Sequence, residues 1–346
     1  MKTGIVTFFD HDNYGAMLQA YALRKKLMSF GTEAEFLSFA ADGPVEGPAP
    51  AVMTPLLKKI RQESDRRHAS FCEFRSKYLP SAAFSEKIAD NYDRFVAGSD
   101  QIWNPEITKK DDRYFLPFAR PEQKISYAAS FGKTDFSAEE KAEMRPLLES
   151  FGECLSMREQ EGAALVKEIT GKEIPVCVDP VLLTKEDDWN ELCRKREAEP
   201  YLLLITVQND TFLLKEAKKL AEEKGLAFKV ITASFFPPVG FAPWSGVGVT
   251  DWLDLLRNAS FVVTSSFHGL AFSVIFEREF LFYPLQNELA GRNGRMTELL
   301  EDLELTDRKR TSEEPICWEK VREKKAILSA RSEEFLRVSL GKRLGL

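Results

Sequence analysis

The chain alternates short apolar segments with helical segments along most of its length, and this alternation limits the folds that it can adopt. Gly4 to Phe9, Glu35 to Phe39 and Arg94 to Ala97 have the composition of strands. Apolar residues at helical spacing follow the first of these strands, from Ala16 to Phe30. Strands that alternate with helices form parallel sheets, because each helix returns the chain to the same end of the sheet. The sequence therefore predicts an α/β protein.

A linker of mixed charge divides this alternation into two blocks. We expect two doubly wound, Rossmann-like domains that face each other across a cleft, since ligands bind at the carboxyl ends of parallel strands. The basic, amphipathic tail is expected to pack across the domain junction with its charged side solvated. The predicted bounds are residues 1–185 for the N-terminal domain, 186–200 for the linker, 201–311 for the C-terminal domain and 312–346 for the helical tail.

The charge balance argues against nucleic acid as a partner. Acidic residues outnumber basic ones by 54 to 48 among 346 residues, which gives a formal charge of −6. Proteins that bind duplexes usually carry a basic surplus, because they neutralise phosphates. A small anion is still compatible with this balance, since two or three well-placed cations can bind it.

Cysteine usage and hydropathy predict a soluble, cytoplasmic chain. The five cysteines form no CxxC pair and are odd in number, as expected for reduced thiols. The uncharged stretches 230–250 and 258–276 contain prolines or many polar residues, so neither is suited to cross a membrane as a continuous helix. Motifs for dinucleotides, nucleoside triphosphates and zinc are absent from the sequence, so no cofactor and no metal are expected.

His268 stands out among the three histidines. His68 lies in a charged helical segment and fits an exposed face, and His11 lies in a polar turn. His268 comes directly after a β-branched run, in a turn that precedes a helix of small residues. Backbone N–H groups and a helix N-terminus at such a turn suit an anion, and a histidine there can exchange a proton near neutral pH. A buried histidine that bonds a backbone carbonyl explains the position equally well.

Arg158 ends an otherwise apolar predicted strand and precedes Glu159. A guanidinium group matches phosphate or carboxylate with two parallel hydrogen bonds. A local ion pair with Glu159 is the simpler explanation from the sequence alone.

Two polar turns follow predicted strands at positions where a ligand would bind. Carboxylate, amide and tyrosine side chains can bond sugar hydroxyls beside an aromatic face. The same residues also stabilise turns and cap helices without any ligand. The candidates are Asp12, Asn13 and Tyr14 in the first turn, and Ser99, Asp100 and Gln101 in the second.

With these turns in view, the sequence resembles the polysaccharide pyruvyl transferase family. Each motif is short, and their order along nearly the whole chain makes the resemblance specific. The matching segments are Asn13 to Leu23, Gly98 to Pro105, Ser126 to Gly132, Arg158-Glu159, Val178 to Pro180 and Ser265 to Gly269.

This resemblance implies a fold like that of the GT-B glycosyltransferases, with the acceptor bound by the N-terminal domain, the donor by the C-terminal domain and the C-terminal helix crossing back to the N-terminal domain. It also implies transfer of a pyruvyl group from phosphoenolpyruvate to two hydroxyls of a sugar, which forms a pyruvate ketal. The acceptor is a sugar of a surface polysaccharide or its precursor. Peripheral contact with a membrane-bound glycan lipid stays open.

The resemblance also implies roles for single residues. His268 would be the general acid and base, and Arg158 a ligand of the donor phosphate. The donor would further contact Ser265, Ser266 and Gly269, with Arg292 and Arg295 at its carboxylate. The two polar turns would bind the acceptor.

Family members often carry an arginine two places before the histidine, where this chain has Ser266. One anion ligand of the family is therefore absent or supplied elsewhere. Two other functions stay open: a nucleotide-sugar glycosyltransferase or epimerase, and a glycan-binding subunit without catalysis.

Overall fold

Two parallel β-sheets form the centre of the computed structural model. It describes residues 1–39, 55–193, 199–208, 210–232, 247–286, 291, 293–310 and 314–341. The two sheets share one continuous hydrophobic core, which contains Tyr14 and Leu18 from the first block and Trp252 and Phe272 from the second. The carboxyl ends of the two sheets therefore face each other.

The first sheet has six strands in the order β3-β2-β1-β4-β5-β6, and every pair is parallel. Strand order reverses between β1 and β4, which leaves a crevice at their carboxyl ends. The strands are β1 (Lys2–Val6), β2 (Glu33–Ser38), β3 (Ser81–Ala83), β4 (Arg94–Ala97), β5 (Lys124–Ala129) and β6 (Leu155–Met157). Its helices are α1 (Tyr14–Ser29), α2 (Pro55–Tyr78), α3 (Pro105–Thr108), α4 (Ala138–Glu149) and α5 (Gln160–Thr170).

The second sheet has four parallel strands in the order β10-β9-β7-β8. Its strand order reverses between β7 and β9, which creates a second crevice. The strands are β7 (Tyr201–Thr206), β8 (Ala227–Thr232), β9 (Phe261–Thr264) and β10 (Phe280–Phe282). The helices are α6 (Thr211–Glu223), α7 (Val249–Asn258), α8 (Phe267–Ile275) and α9 (Gly294–Asp302). The predicted fold class, two doubly wound α/β units that face a cleft, is confirmed; the predicted domain bounds stay predictions.

Local sequence explains where several elements begin and end. Ser137 caps α4 and Glu140 bonds back to it, in the capping box that the sequence predicts. Every residue of β5 and β7 is buried, as in strands covered by helices on both faces. None of the described helices has the length and apolar character needed to span a bilayer.

Two local predictions are wrong. The apolar residues of Val176 to Val178 predict a last strand of the first block. The segment instead makes only an isolated bridge, between Val176 and Met157. Pro180 follows at the start of a short 3₁₀ helix, and its missing N–H prevents further strand pairing. The turn predicted at Ser265 to Gly269 is shorter, because α8 already begins at Phe267 with Ser266 as its N-cap.

The helix α10 (Trp318–Gly341) packs against the first sheet and the segment that follows it. Ser332 Oγ accepts a hydrogen bond from the Val178 amide at 3.0 Å. Lys325 Nζ donates to the Thr184 carbonyl at 2.6 Å, and Lys26 Nζ lies 2.6 Å from the Glu333 carboxylate. These contacts return the end of the chain to the N-terminal block.

We expect Leu336→Ala to lower the free energy of unfolding by about 2 to 5 kcal/mol, because it leaves a cavity under α10. Leu336 is 0% exposed, whereas Val338 on the same helix is 40% exposed. Val338→Ala is the matched control and should change stability by about 0.5 kcal/mol or less. Urea unfolding followed by circular dichroism measures both values. Equal effects of the two substitutions would contradict the docking of α10 through this face.

Candidate functional site

A cavity of about 600 Å³ lies between the two sheets, at the carboxyl ends of their central strands. The loops after β1 and β4 form one wall, and those after β7 and β9 form the other. The cavity therefore joins the two crevices where strand order reverses. Its polar lining includes Asp12, Asn13, Asp100, Gln101, Thr206, Ser265, Ser266, His268 and Arg295.

His268 is the second residue of α8 and lines this cavity with a side chain that is 12% exposed. Gly15, the second residue of α1, lies directly against the imidazole: a Cβ there would be 2.0 Å from His268 Nδ1. The N-termini of α1 and α8 thus meet around the ring. The first N–H groups of a helix have no partner within the helix, and both helix ends carry partial positive charge, which favours a bound anion.

Asp179 is the fully buried carboxylate behind His268. Its Oδ2 lies 3.7 Å from His268 Nε2, accepts from Arg158 Nη1 at 3.0 Å and from Ser99 Oγ at 3.2 Å. Burial alone would raise the pKa of Asp179, but the contacts to His268 and the charge of Arg158 hold that pKa well below its usual range. The carboxylate is therefore ionised and can orient the imidazole.

Arg158 lies behind the cavity wall, and its side chain is 2% exposed. Besides Asp179, its guanidinium lies 3.7 Å from the carboxylates of Asp100 and Glu159. Burial lowers the pKa of Arg158, but these three carboxylates outweigh burial and raise it. The local ion pair with Glu159 that the sequence suggests is therefore present, as part of a wider network that includes Asp100 and Asp179. In this position Arg158 supports Asp179 and is not among the residues that line the cavity.

Among the described residues, Arg295 and Arg67 are the arginines that line the cavity. With its amide oxygen turned towards Arg295, Gln101 lies 2.7 Å from Nη1 and 3.1 Å from Nη2. The Phe267 ring lies between the guanidinium groups of Arg295 and Arg158, at 5.6 and 5.2 Å from its centroid. Arg292 lies outside the described residues.

The other predicted donor residues occupy the start of α8. Ser266 lines the cavity while its Oγ accepts from the Gly269 amide, and Ser265 lines it with Oγ 3.3 Å from Thr206 Oγ1. Gly269 is buried and faces away, since a Cβ there would lie 2.3 Å from Thr264 Oγ1. The hydroxyl side chains that line the cavity at this end of the second sheet therefore belong to Thr206, Ser265 and Ser266.

The predicted acceptor residues after β1 also line the cavity, but several of their polar atoms already form hydrogen bonds within the protein. Asn13 Oδ1 caps α1 by accepting from the Ala16 amide at 3.2 Å. The Tyr14 hydroxyl donates to the Val247 carbonyl at 2.6 Å, and burial raises the pKa of this phenol to about 12. Only the ring of Tyr14 is therefore offered to a ligand. Asp12 is half-buried, and its two carboxylate oxygens already contact His68 and Arg75 of α2.

Of the three predicted acceptor residues after β4, one lies behind the cavity and two line it. Ser99 is fully buried and bonds Asp179, so it belongs to the support of His268. Asp100 and Gln101 line the cavity. Asp100 thus faces both the cavity and, at 3.7 Å, Arg158.

Asp179 and Gly15 are site residues that the sequence predictions missed. Asp179 follows the apolar segment Val176 to Val178 and precedes a proline. The two polar turns chosen as candidates follow apolar segments in the same way, so this position was a usable signal. The need for Gly15 arises from a contact across 253 positions of sequence, which no local pattern contains. Among the described residues, no group of three or more His, Cys, Asp or Glu side chains is arranged to hold a metal ion.

A family model described as polysaccharide pyruvyl transferase matches residues 13–287, most of the chain. That range includes every cavity residue taken from the two polar turns except Asp12, and it includes His268. Comparison with curated proteins finds no significant match.

Solved structures with a similar arrangement include a complex of MnaA with UDP, a UDP-GlcNAc 2-epimerase and a heptosyltransferase. MnaA of S. aureus with UDP has a TM-score of 0.46 at 11% identity, covering 97% of this chain and 91% of that one. The UDP-GlcNAc 2-epimerase of Neisseria meningitidis, bound to UDP-GlcNAc, has a TM-score of 0.43 at 9% identity, and the match covers 97% of this chain and 99% of that one. The ADP-heptose heptosyltransferase II of E. coli has a TM-score of 0.39 at 12% identity, and the match covers 96% of this chain and 100% of that one.

We expect Asp179→Asn to lower the free energy of unfolding at pH 7 by about 3 to 5 kcal/mol, because it leaves the buried Arg158 charge without its closest partner. Asp65→Asn, at an exposed position on α2, is the control and should change stability by about 0.5 kcal/mol or less. Urea unfolding gives both values.

The same loss should depend on pH in a defined direction. The folded-state pKa of Asp179 is lowered from 3.8, so its contribution is complete above that pH and declines as the pH falls towards the lower folded-state value. The difference between wild type and Asp179→Asn should therefore shrink below about pH 4. A difference that stays constant from pH 7 to pH 3 would contradict an ionised Asp179.

Proposed function

The chain belongs to the polysaccharide pyruvyl transferase family, and from that premise we propose that it transfers a pyruvyl group from phosphoenolpyruvate to a sugar of a surface polysaccharide or its precursor. The observation that carries the proposal is the placement of His268. Its imidazole lies in the cavity between two helix N-termini, with the buried Asp179 carboxylate behind it. Proton transfer and anion binding are thus provided at one place.

The cavity suits a small donor with two anionic groups. Phosphoenolpyruvate carries a phosphate and a carboxylate, which need positive charge or N–H donors. The N-termini of α1 and α8 offer backbone N–H groups, and Arg295 contributes a full charge to the same cavity. Arg295 would supply the cation that Ser266 cannot provide two places before His268.

The reaction needs one proton delivered and two removed. Protonation of the donor's methylene carbon turns it into a methyl group and leaves an oxocarbenium-like carbon. One sugar hydroxyl attacks this carbon and loses its proton; the bond to phosphate then breaks, and a second hydroxyl of the sugar attacks. The products are a cyclic pyruvate ketal and free phosphate.

His268 is suited to give the first proton and to take one back, since an imidazole can do both near neutral pH. Asp179 would hold the ring in one orientation and offset the positive charge that the ring carries when protonated. In this mechanism Arg158 is a positioning residue, because its charge keeps Asp179 ionised. The remaining hydroxyl proton can leave through water at the open side of the cavity.

The acceptor sugar would bind at the wall formed by the first sheet. Asp100 and Gln101 present a carboxylate and an amide there, and Asp12 and Asn13 lie at the rim. Such groups bond pairs of neighbouring hydroxyls. The ring of Tyr14 adds an apolar surface for one face of the sugar.

We expect His268→Gln to reduce phosphate release from phosphoenolpyruvate about 10²- to 10⁴-fold in the presence of an accepted sugar, since it removes the proton donor and leaves a polar side chain of similar length. Release is measured with a panel of hexoses and hexosamines, and urea unfolding verifies that the variant folds. Undiminished release by His268→Gln would contradict its role.

The same panel separates the other functions. Turnover of a nucleotide sugar, with no phosphate release from phosphoenolpyruvate by the wild type, would indicate a glycosyltransferase or epimerase. Glycan binding without any turnover would indicate a binding subunit.

For Arg295→Gln we expect the KM for phosphoenolpyruvate to rise about tenfold or more, because a charge-assisted hydrogen bond contributes roughly 1.5 to 3 kcal/mol. Arg145→Gln is the control, since Arg145 is an exposed arginine on α4 with 52% of its side chain accessible. Steady-state kinetics of phosphate release gives KM and kcat. An unchanged KM in Arg295→Gln would place the donor anion elsewhere.

A further inference from the structure

A cluster of four side chains joins an exposed cysteine to a histidine, an arginine and the carboxylate of Asp12, which also lines the cavity. Cys72 Sγ lies 3.4 Å from His68 Nε2, one helical turn earlier on α2. His68 Nδ1 lies 2.7 Å from Asp12 Oδ2, which belongs to the loop after β1. Arg75 Nη2 lies 3.1 Å from Cys72 Sγ, and its Nη1 lies 3.1 Å from Asp12 Oδ1.

A thiol next to a histidine that is itself bonded to a carboxylate has the arrangement of an activated nucleophile. The base is within reach of the sulfur, and a carboxylate bonds the other ring nitrogen, so the lone pair of Nε2 is directed at Cys72. The Arg75 guanidinium donates a hydrogen bond to the same sulfur. Helical spacing brings His68, Cys72 and Arg75 together, whereas Asp12 joins them from the loop after β1, 56 positions before His68.

The other cysteines lack either exposure or a comparable setting. Cys177 is buried and Cys193 is half-buried, and burial raises the pKa of each thiol to about 11. Cys154 is half-buried. Cys317 is exposed like Cys72 and therefore provides an internal control on the same chain.

We propose that Cys72 is a reactive thiol that exchanges with low-molecular-weight disulfides, with His68 as its base and Asp12 as the group that orients His68. His68 Nε2 takes the thiol proton. Sγ then attacks one sulfur of the disulfide, and a new S–S bond forms as the old one breaks. The second sulfur leaves with the electron pair and takes up the proton from the imidazolium. Cys72 is oxidised, and the departing sulfur is reduced.

The test measures site-specific rates with 4,4′-dithiodipyridine, a neutral aromatic disulfide, on the full-length protein. Adducts on Cys72 and Cys317 are quantified by peptide mass mapping over a range of pH. At pH 6.5 we expect Cys72 to react about tenfold faster than Cys317, because the reactive species is the thiolate. His68→Gln should reduce the rate at Cys72 about tenfold and leave that at Cys317 unchanged.

A structural role of His68 would produce a different pH dependence. At about pH 9.5 most thiols ionise without assistance. The rates of wild type and His68→Gln at Cys72 should therefore converge there, whereas a distorted helix would slow or speed the reaction at every pH. Asp12→Asn should give a smaller decrease than His68→Gln, since it disturbs only the orientation of the base.

Equal rates at Cys72 and Cys317 in the wild type would overturn the proposal. So would a His68→Gln variant whose rate at Cys72 equals that of the wild type at pH 6.5. Neither result depends on the pyruvyl transferase reaction, because the readout is adduct formation alone.

Discussion

The charge on Asp179 is the constraint around which the site is organised. A fully buried carboxylate is stable as an anion only if cations and hydrogen-bond donors surround it. Here Arg158 provides the compensating charge, Ser99 and the Val181 amide donate hydrogen bonds, and His268 completes the shell from the opposite sheet. The anion therefore links the ends of three separate segments of the first block to a helix of the second.

The topology explains why these groups can meet. Both sheets reverse their strand order at the centre, and the loops that leave the reversed strands are the ones that carry the site residues. The first sheet supplies polar side chains such as Asp100 and Gln101, and the second supplies an imidazole at a helix N-terminus. A family of transferases that joins an anionic donor to a sugar would use these two walls for its two substrates.

The local pattern of the sequence was sufficient to predict the fold class and the regions that line the cavity. Gly98 to Gln101 and Ser265 to Gly269 follow apolar runs, so their place at the carboxyl ends of strands follows from strand–helix alternation. The sequence could not predict which of these residues face the cavity. Ser99, Gly269 and Arg158 are directed into the protein because of contacts with Asp179 and Thr264, and such contacts depend on distances between remote segments. Likewise, His68 has the pattern of an exposed helical face, and its bond to Asp12 exists only once α2 lies beside the loop after β1.

The contact of Tyr14 with the second block has a consequence for how substrates come and go. Its hydroxyl bonds the Val247 carbonyl, and its ring stacks on Trp252 with centroids 5.8 Å apart, inside the core shared by both sheets. A hinge rotation that separated the blocks would expose these aromatic rings to water and break the bond. Exchange of ligands with the two blocks kept together is therefore less costly than exchange by a swinging apart of the two halves.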